Sequence, residues 1–304
     1  MKLLVLGAGG QVGRELCRLA WPAGYTLAAF ARDGVDITSR EAVFAAVARE
    51  RPDIAINAAA YTAVDRAESE PDLAWAGNCT GPGNLAAACH EAAIPLIHIS
   101  TDYVFDGTKT GAYREDDPVR PLGVYGASKE AGERAVRDAL ARHVILRTAW
   151  VYSAHGNNFV KTMLRLGAER PVLRVVADQT GSPTSAADIA AAIGTVVQRL
   201  AAGNTNWGTY HFTGGGAVTW HGFAEAIFEL AARSNATGRG PPPVVEAITT
   251  AEYPTPARRP ANSVLDCTRI AEAFGIVPLP WRAALAEVLA ELKPRPIPAG
   301  NNAR

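Results

Sequence analysis

The first half of the chain alternates short apolar runs with longer alanine-rich segments. The apolar runs are predicted strands over residues 2–7, 26–30, 53–57, 95–100 and 143–148. Between them, helical patterns cover about residues 11–20, 39–50, 71–93 and 124–141. The strands are apolar at successive positions, which is typical of a parallel sheet covered on both faces. This alternation predicts an α/β fold with a Rossmann-like, doubly wound parallel sheet.

After residue 150 the pattern changes. Helices are predicted over residues 157–170 and 185–200, a strand over 208–214, a surface loop over 235–248 and a last helix over about 281–292. No repeat or low-complexity tract interrupts this half. We expect a smaller C-terminal lobe, some of whose helices pack back on the sheet.

Charge and cysteine content exclude several classes of function. Thirty basic residues balance thirty acidic ones, so no net field recruits nucleic acid or an anionic membrane. The four cysteines, Cys17, Cys79, Cys89 and Cys267, show no metal-ligand spacing. The apolar run at the N-terminus is shorter than a secretory signal or the ~20 residues of a membrane span. We therefore expect a cytoplasmic protein with a small-molecule partner.

A glycine-rich turn follows the first predicted strand. Gly7, Gly10 and Gly13 stand in "VLGAGGQVGREL", where the strand ends and the first helix begins. Glycine allows a tight turn and a close approach of the backbone to a pyrophosphate, which binds free N–H groups at a helix start. Such turns also serve packing alone, but the βαβ context favours dinucleotide binding. We therefore assign residues 1–150 to a dinucleotide-binding domain and residues 151–304 mainly to a substrate-binding lobe, with a mobile tail after about 293.

The end of the second strand bears on the choice of cofactor. Dinucleotide sites that select NAD place an acid here, which binds the ribose 2′-hydroxyl. In this chain Phe30 stands near that place and Arg32 follows it. An arginine can pair with a 2′-phosphate, so NADPH and NADH both remain open; Arg32 can equally be a solvated loop residue. Asp36 and Ile37 are expected near the adenine ring.

Tyr125 and Lys129 form the Y-x-x-x-K pattern at the start of a predicted helix. Residues four positions apart share one helix face, about 5–6 Å from each other. A free tyrosine has a pKa of about 10, and a neighbouring ammonium favours its ionised form. Such a tyrosine can pass a proton to a carbonyl oxygen as hydride reaches the carbon. The alternative is an ordinary pair on a solvated helix surface.

Two hydroxyls end the fourth predicted strand. Ser100 and Thr101 stand in "HISTDYVFDG", and the carboxyl end of this strand opens toward the cleft of such sheets. Either hydroxyl could orient a substrate carbonyl toward Tyr125, and Thr101 is the better candidate. A Ser-Thr-Asp sequence also has the ordinary roles of helix capping and turn formation.

These motifs together resemble the extended short-chain dehydrogenase/reductases. The segments "NAAAYTAVDRAESEP", "STDYVFDG", "VYGASKEAGE", "LRTAWVY", "GNNFVKTML", "DQTGSPT" and "YPTPARRPANSVLD" resemble, in order and spacing, the dTDP-4-dehydrorhamnose reductase family. The resemblance covers about residues 1–292. It implies NAD(P)H-dependent reduction of the 4-keto group of dTDP-4-dehydro-L-rhamnose to dTDP-L-rhamnose.

The same resemblance assigns site residues. Tyr125 is the acid, Lys129 its partner and a ribose ligand, and Thr101 the orienting hydroxyl. Contacts to the cofactor are implied for Gly10, Gln11, Val12, Ala60, Tyr61 and Thr62. Contacts to the substrate are implied for Thr101, Asp102, Trp150, Asn158 and Arg259. By their chemistry alone Trp150 could be core packing, and Arg259 with Arg258 could be a solvated basic pair.

One departure concerns metal and assembly. Some members of this family bind Mg²⁺ at a dimer contact through three glutamates. Glu15 and Glu291 match two of them, whereas Ala187, beside Asp188, stands at the third. Magnesium prefers oxygen ligands in octahedral geometry, so the loss of one carboxylate weakens such a site. We therefore predict no metal site, and the chain could be a monomer or a homodimer.

Three other functions remain open. The chain could reduce a related dTDP-4-keto-6-deoxysugar. It could also be an NADP-binding regulatory subunit of the methionine adenosyltransferase type, although that role would not need Thr101, Tyr125, Lys129 and Trp150. An epimerase or dehydratase of the same superfamily would share Tyr125 and Lys129. A dehydratase needs an acid beside the strand-end threonine, where Asp102 stands.

Overall fold

Strands and helices alternate along the computed structural model, which describes residues 1–233 and 242–292. The strands in this part of the chain are β1 (Lys2–Leu6), β2 (Thr26–Phe30), β3 (Ile54–Asn57), β4 (Leu96–Thr101), β5 (His143–Thr148), β6 (Val151–Tyr152), β7 (Val172–Val176), β8 (Thr180–Gly181), β9 (Thr184–Ser185), β10 (Gly208–His211), β11 (Val218–Thr219) and β12 (Val244–Ile248). The α-helices are α1 (Gln11–Arg18), α2 (Arg40–Glu50), α3 (Val64–Ala67), α4 (Pro71–Trp75), α5 (Gly81–Glu91), α6 (Val124–Ala139), α7 (Phe159–Glu169), α8 (Ala186–Ala201), α9 (Trp220–Arg233), α10 (Thr268–Phe274) and α11 (Trp281–Glu291). Across these ranges no helix combines the length and the apolar composition that crossing a membrane requires.

Six strands form a parallel sheet in the order β10–β5–β4–β3–β1–β2. The strands β1, β3, β4 and β5 are buried because helices cover both faces. β2 lies beside β1 at one edge of the sheet. The chain then crosses to the other side of β1, where β3, β4, β5 and β10 follow one another. The predicted α/β, doubly wound parallel sheet is thereby confirmed.

Two apolar cores lie on the two faces of this sheet. Side chains of α1, α8 and α10 pack with Leu3 and Val5 of β1 on one face. Side chains of α2, α5 and α6 pack with Leu4 and Leu6 on the other. β10, α8 and α10 all follow residue 150, so the second half of the chain completes the sheet layer. The division into two domains at residue 150 stays a prediction.

A third core belongs to the smaller lobe. It joins α7, α9 and α11 with β7 and with Tyr152 of β6. β7 pairs in parallel with β12. The loop predicted over residues 235–248 is therefore wrong for Val244–Ile248, where the preceding prolines concealed a short strand. Residues 235–241 of that loop, and the tail predicted after about 293, lie outside the described residues.

The helix predicted over residues 71–93 is divided in three. α4 ends at Trp75, a π-helical turn covers Ala76–Thr80, and α5 begins at Gly81. A π-helical turn inserts an extra residue and is frequent at functional sites. This turn faces α6 and brings Asn78 to the helix that carries Tyr125 and Lys129.

Candidate active site

The predicted catalytic residues meet where β4 ends and α6 begins. Thr101 is the last residue of β4, Asp102 follows it, and Tyr125 lies in the first turn of α6. The carboxyl ends of parallel strands line the cleft of a doubly wound sheet. The glycine turn after β1 and Trp150 after β5 lie at the same edge of the sheet. The structure therefore brings Thr101, Asp102, Tyr125, Trp150 and the glycine turn to the carboxyl-terminal end of the sheet.

The phenol of Tyr125 is enclosed by other side chains. The residue is 9% exposed, and its ring meets Tyr103 edge to face at 5.5 Å. Burial raises the pKa of Tyr125 to about 12, and the nearby Thr101 hydroxyl offsets part of this effect. The sequence pattern predicted a lowered pKa for Tyr125. In the folded protein, burial raises this pKa by more than the neighbouring groups lower it. At neutral pH the phenol therefore keeps its proton, as an acid must.

Lys129 is buried one turn after Tyr125. Its side chain is enclosed and donates a hydrogen bond from Nζ to the carbonyl oxygen of Ile99 at 2.7 Å. Burial lowers the pKa of Lys129 to about 8, and the charge of Glu133 opposes that effect. The alternative of a solvated surface pair is therefore excluded for Tyr125 and Lys129.

Asn78 was missed by the sequence argument. It accepts a hydrogen bond at Oδ1 from the N–H of Tyr61 and donates from Nδ2 to the Tyr61 carbonyl and to the Ser128 hydroxyl. A Cβ atom on Gly132 would lie 1.9 Å from the Asn78 carbonyl oxygen, so only glycine allows this approach of α6. The π-helical turn that places Asn78 has no clear sequence signal.

Asp102 is a buried acid beside Thr101. Its Oδ1 accepts a hydrogen bond from the Thr101 hydroxyl at 2.9 Å. Its Oδ2 has no hydrogen-bond partner of ordinary geometry in the described part of the chain, although the Ser263 hydroxyl is close enough to influence it. Burial raises the pKa of Asp102 to about 6. Ser100, by contrast, points away from the cleft and donates to Glu133 at 2.6 Å.

The glycine turn has the geometry that a dinucleotide needs. Gly7 has a φ of +87°, and a Cβ atom there would lie 2.4 Å from the backbone nitrogen of Ala59. Gly10 is the N-cap of α1, and the next residues are Gln11, Val12 and Gly13. The first N–H groups of a helix have no acceptor within it and attract anions. These features fit a bound pyrophosphate.

The adenosine end of this cleft is more open. Arg32 is 78% exposed at its side chain and pairs with Asp36 at 3.4 Å. Asp36 also accepts hydrogen bonds from the N–H and hydroxyl of Thr38, which shape the loop. The side chain of Ile37 is buried in the core, and the approach of Asp36 and Ile37 to an adenine ring stays a prediction. The role of Arg32 toward a 2′-phosphate stays a prediction.

The segment after β3 borders the cleft. Ala60 and Thr62 are exposed, whereas Tyr61 is half-buried. The Tyr61 hydroxyl donates to Glu70 at 2.5 Å, and Arg66 binds the same carboxylate. The contacts of Ala60, Tyr61 and Thr62 with a cofactor stay a prediction.

Trp150 presents an aromatic surface beyond the end of β5. Its backbone has a φ of +49°, a strained value for a large side chain. Its ring stacks on Trp220 with the centroids 3.4 Å apart and the planes at 6°. Trp220 begins α9 and was missed because it lies far away in the chain. Trp150 therefore joins the lobe to the sheet and remains partly exposed.

Two residues predicted to bind substrate are engaged within the protein. Asn158 caps α7 and donates from Nδ2 to Oε1 of Gln11 at 2.9 Å. Arg259 holds Asp65 with two hydrogen bonds of 3.0 and 2.8 Å. Arg258 is exposed. The contacts of Asn158 and Arg259 with a nucleotide diphosphate stay a prediction.

Comparison with known proteins places this constellation in a family. The sequence model of the family described as "RmlD substrate binding domain" matches residues 1–293. The chain belongs to this family. It is 47% identical to a dTDP-4-dehydrorhamnose reductase from Aggregatibacter actinomycetemcomitans, over 95% of this chain and 98% of the relative. A dTDP-4-dehydrorhamnose reductase from Sinorhizobium fredii is 45% identical, over 91% of this chain and 92% of the relative.

Solved structures of dTDP-4-dehydrorhamnose reductases agree with this assignment. A dTDP-4-dehydrorhamnose reductase from Clostridium acetobutylicum superposes with a TM-score of 0.87 at 38% identity, over 96% of this chain and 99% of that one. The enzyme from Bacillus anthracis, in complex with NADP, gives the same TM-score and identity, over 95% of this chain and 99% of that one. The resemblance to dTDP-4-dehydrorhamnose reductases inferred from the sequence motifs is therefore confirmed.

The two glutamates that match a metal site in some RmlD-family members are neutralised by the protein itself. Arg18 binds Glu291 at 2.6 Å and lies 3.4 Å from Glu15. His155 approaches Glu15 at 3.2 Å. In residues 1–233 and 242–292 no group of three acidic, histidine or cysteine side chains could hold an ion. Binding of magnesium at a dimer contact and the oligomeric state both stay open.

Proposed function

We propose that this protein is an NAD(P)H-dependent reductase of the 4-keto group of dTDP-4-dehydro-L-rhamnose, with Tyr125 as the proton donor. The product is dTDP-L-rhamnose. The observation that carries the proposal is the burial of Thr101, Tyr125 and Lys129 together at the carboxyl edge of the sheet. The names of the 47% and 45% identical relatives support the substrate.

Tyr125 has the chemistry of the acid. With a pKa of about 12 its phenol is protonated at neutral pH. The proton passes from the Tyr125 hydroxyl to the O4 oxygen of the sugar, while C4 gains a hydride and the carbonyl becomes an alcohol. General acid catalysis of this kind contributes about 10²–10⁴-fold to the rate. Thr101 lies beside the phenol, and its hydroxyl is expected to turn from Asp102 to the same oxygen and orient it.

Lys129 supports this transfer from one turn further along α6. Its pKa of about 8 leaves most of the ammonium charged at neutral pH. A buried positive charge stabilises the phenolate that forms as the proton leaves. Nζ has further donors beyond its bond to Ile99, and these suit the hydroxyls of a ribose.

The glycine turn and the first turn of α1 fit a dinucleotide, with Gly7, Gly10, Gln11, Val12 and Gly13 against the pyrophosphate. The bound NADPH or NADH supplies the hydride. The Bacillus anthracis relative is in complex with NADP, which favours NADPH. The exposed side chain of Arg32 is the proposed partner of its 2′-phosphate. Arg32 is expected to exchange Asp36 for that phosphate.

On the substrate side, the partly exposed ring of Trp150 offers an apolar wall to a sugar. Among the described residues, Oδ2 of Asp102 is buried without a hydrogen-bond partner of ordinary geometry, and it suits a sugar hydroxyl. Asn158 and Arg259 lie further out, and their present partners would have to yield if they bind the nucleotide diphosphate.

The test is the oxidation of NADPH, followed by its absorbance, with and without the keto sugar. Loss of absorbance only with dTDP-4-dehydro-L-rhamnose, and dTDP-L-rhamnose as the product, supports the proposal. A flat signal would instead support an NADP-binding regulatory subunit. A faster reaction with another dTDP-4-keto-6-deoxysugar would assign the related substrate.

A dehydratase is the second candidate because Asp102 is a buried acid whose pKa is raised to about 6. Such an enzyme would release water from the sugar and leave the cofactor unchanged after each turnover. Stoichiometric consumption of NADPH excludes it.

A further inference from the structure

A buried ion pair lies directly behind the proposed catalytic residues. Glu133 stands four residues after Lys129 on α6 and is fully buried. Its carboxylate accepts hydrogen bonds from Nε and Nη2 of Arg147 at 2.8 and 2.7 Å. Arg147 lies on β5, is 3% exposed and also packs over the ring of Phe105. The pair therefore joins α6 to the centre of the sheet.

The same carboxylate reaches β4. The Ser100 hydroxyl donates to Glu133 at 2.6 Å, and Ser100 precedes Thr101. Arg137, one turn further along α6, donates from Nη1 at 3.1 Å. Glu133 thus accepts from three side chains on three elements. Since buried ion pairs contribute little to stability on balance, this placement calls for another explanation.

The charged groups around Lys129 provide an explanation for the buried position of Glu133. The titratable groups that face this side of α6 are Tyr125, Glu133 and Arg137 on the helix, His98 and Asp102 on or after β4, Arg147 and His143 on β5, and His211 on β10. Burial lowers the pKa of His98, His143 and His211, so none of these three carries charge at neutral pH. Glu133, one turn further along the helix, is then the anion whose charge acts on Lys129, and it faces two arginines.

We propose that Glu133 is a positioning residue that keeps Lys129 charged and holds it, with Thr101, in place for the proton transfer from Tyr125. This inference rests on the proposed function for its catalytic consequence. Without the Glu133 carboxylate, the charges of Arg147 and Arg137 would act on the buried ammonium unopposed. Lys129 would then lose its proton closer to neutral pH and would no longer stabilise a phenolate.

The direct test is a titration of Lys129 in the full-length protein. The chain has five lysines, so Nζ signals of ¹⁵N-lysine-labelled protein can be assigned with the Lys129→Met variant. The Lys129 midpoint is expected near pH 8 in the original protein. In Glu133→Gln it is expected about 1 to 2 pH units lower, as for a unit charge removed at a short distance inside a protein. An unchanged midpoint overturns the proposal.

Two further variants separate charge from structure. Glu130→Gln makes the same change at a neighbouring, largely buried position whose carboxylate binds Arg134 and Arg137, and it should leave the Lys129 midpoint in place because Arg134 and Arg137 reach into solvent and the charge of Glu130 does not act on Lys129. Glu133→Gln combined with Arg147→Met removes both buried charges and should give a midpoint between those of the single variant and the original. This double variant still tests the proposal if Glu133→Gln fails to fold. A double-variant midpoint equal to the original contradicts the proposal.

The kinetic readout is the pH profile of kcat/KM for the keto sugar. The alkaline limb should move to lower pH in Glu133→Gln by the same amount as the Lys129 midpoint. A purely structural role would lower kcat/KM by one factor at every pH and leave the limb in place, which would overturn the proposal. If the original protein fails to reduce the sugar, the proposed function fails, and the Lys129 titration still decides the role of Glu133.

Discussion

The two ends of the cleft differ sharply in their exposure to water. At the reacting end, Tyr125 and Lys129 are 9% and 2% exposed and contact backbone or buried side chains. At the adenosine end, the Arg32 side chain is 78% exposed, and its ion pair with Asp36 is 3.4 Å long. Proton transfer needs charges that water does not screen, whereas recognition of a phosphate tolerates water.

This difference predicts where substitutions matter. Removing a buried group changes the pKa values and the solvation of its neighbours, so the effect is large. Removing an exposed arginine costs one screened interaction, so the effect is small. The substitutions below probe this contrast from its largest effect to its smallest.

Tyr125→Phe removes only the phenolic oxygen and should lower kcat by about 10³-fold, within the range for loss of a general acid. The affinity for NADPH should stay nearly unchanged because the ring still fills the same space. Steady-state kinetics and fluorescence titration of NADPH measure the two quantities. Tyr103→Phe, on the ring that packs against Tyr125, is the matched control and should retain far more activity.

Lys129→Ala should lower kcat by about 10²-fold, as loss of a buried stabilising charge does. It should also weaken NADPH binding, unlike Tyr125→Phe, because Nζ is a proposed ribose ligand. Both effects are measured in the same assays. Full retention of cofactor affinity would remove the ribose contact from the account.

Asp102→Asn tests how the buried carboxyl group changes the free energy of unfolding with pH. The folded protein holds the Asp102 proton up to a pKa of about 6, whereas an unfolded aspartate ionises near a pKa of about 3.9. The folded state therefore binds the extra proton between these values, and its stability falls as the pH rises through them, by about 3 kcal/mol. Asp102→Asn should lack this fall. Urea unfolding from pH 4 to pH 7 measures it, and the exposed Asp116→Asn should unfold with the pH dependence of the original.

Arg32→Ala should have the smallest effect. The KM for NADPH should rise by about fivefold, which corresponds to the loss of about 1 kcal/mol at the upper end for an exposed charge pair, and the KM for NADH should hardly change. Steady-state kinetics with both cofactors decide this. An equal change for both would show that Arg32 does not meet the 2′-phosphate.

The contrast also explains what could be predicted from the sequence. The sheet and the positions of Thr101, Tyr125 and Lys129 followed from local patterns, because strand ends and helix spacing bring nearby residues to one edge. Asn78, Trp220 and Glu133 were missed or unassigned. The position of Asn78 depends on a π-helical turn, and that of Trp220 depends on packing between distant segments. The buried position of Glu133 depends on an ion pair with Arg147 of β5.

The environment of each side chain could not be predicted from the sequence either. The pattern Y-x-x-x-K suggested a tyrosine with a lowered pKa, but it does not reveal that burial raises that pKa to about 12. In the same way, "PARRP" indicated free arginines, whereas Arg259 is bound to Asp65, 194 positions away. Solvation and distant partners are properties of the folded chain.

The most direct test of the account is the rate of hydride transfer in a single turnover with the keto sugar, measured in H₂O and D₂O with NADPH deuterated at the transferred position. Transfer of the Tyr125 proton as the hydride arrives predicts that each isotope slows the same step, and that Tyr125→Phe abolishes most of that step. An equal rate of hydride transfer in H₂O and D₂O, together with rapid hydride transfer in Tyr125→Phe, would contradict the role of Tyr125 as the proton donor.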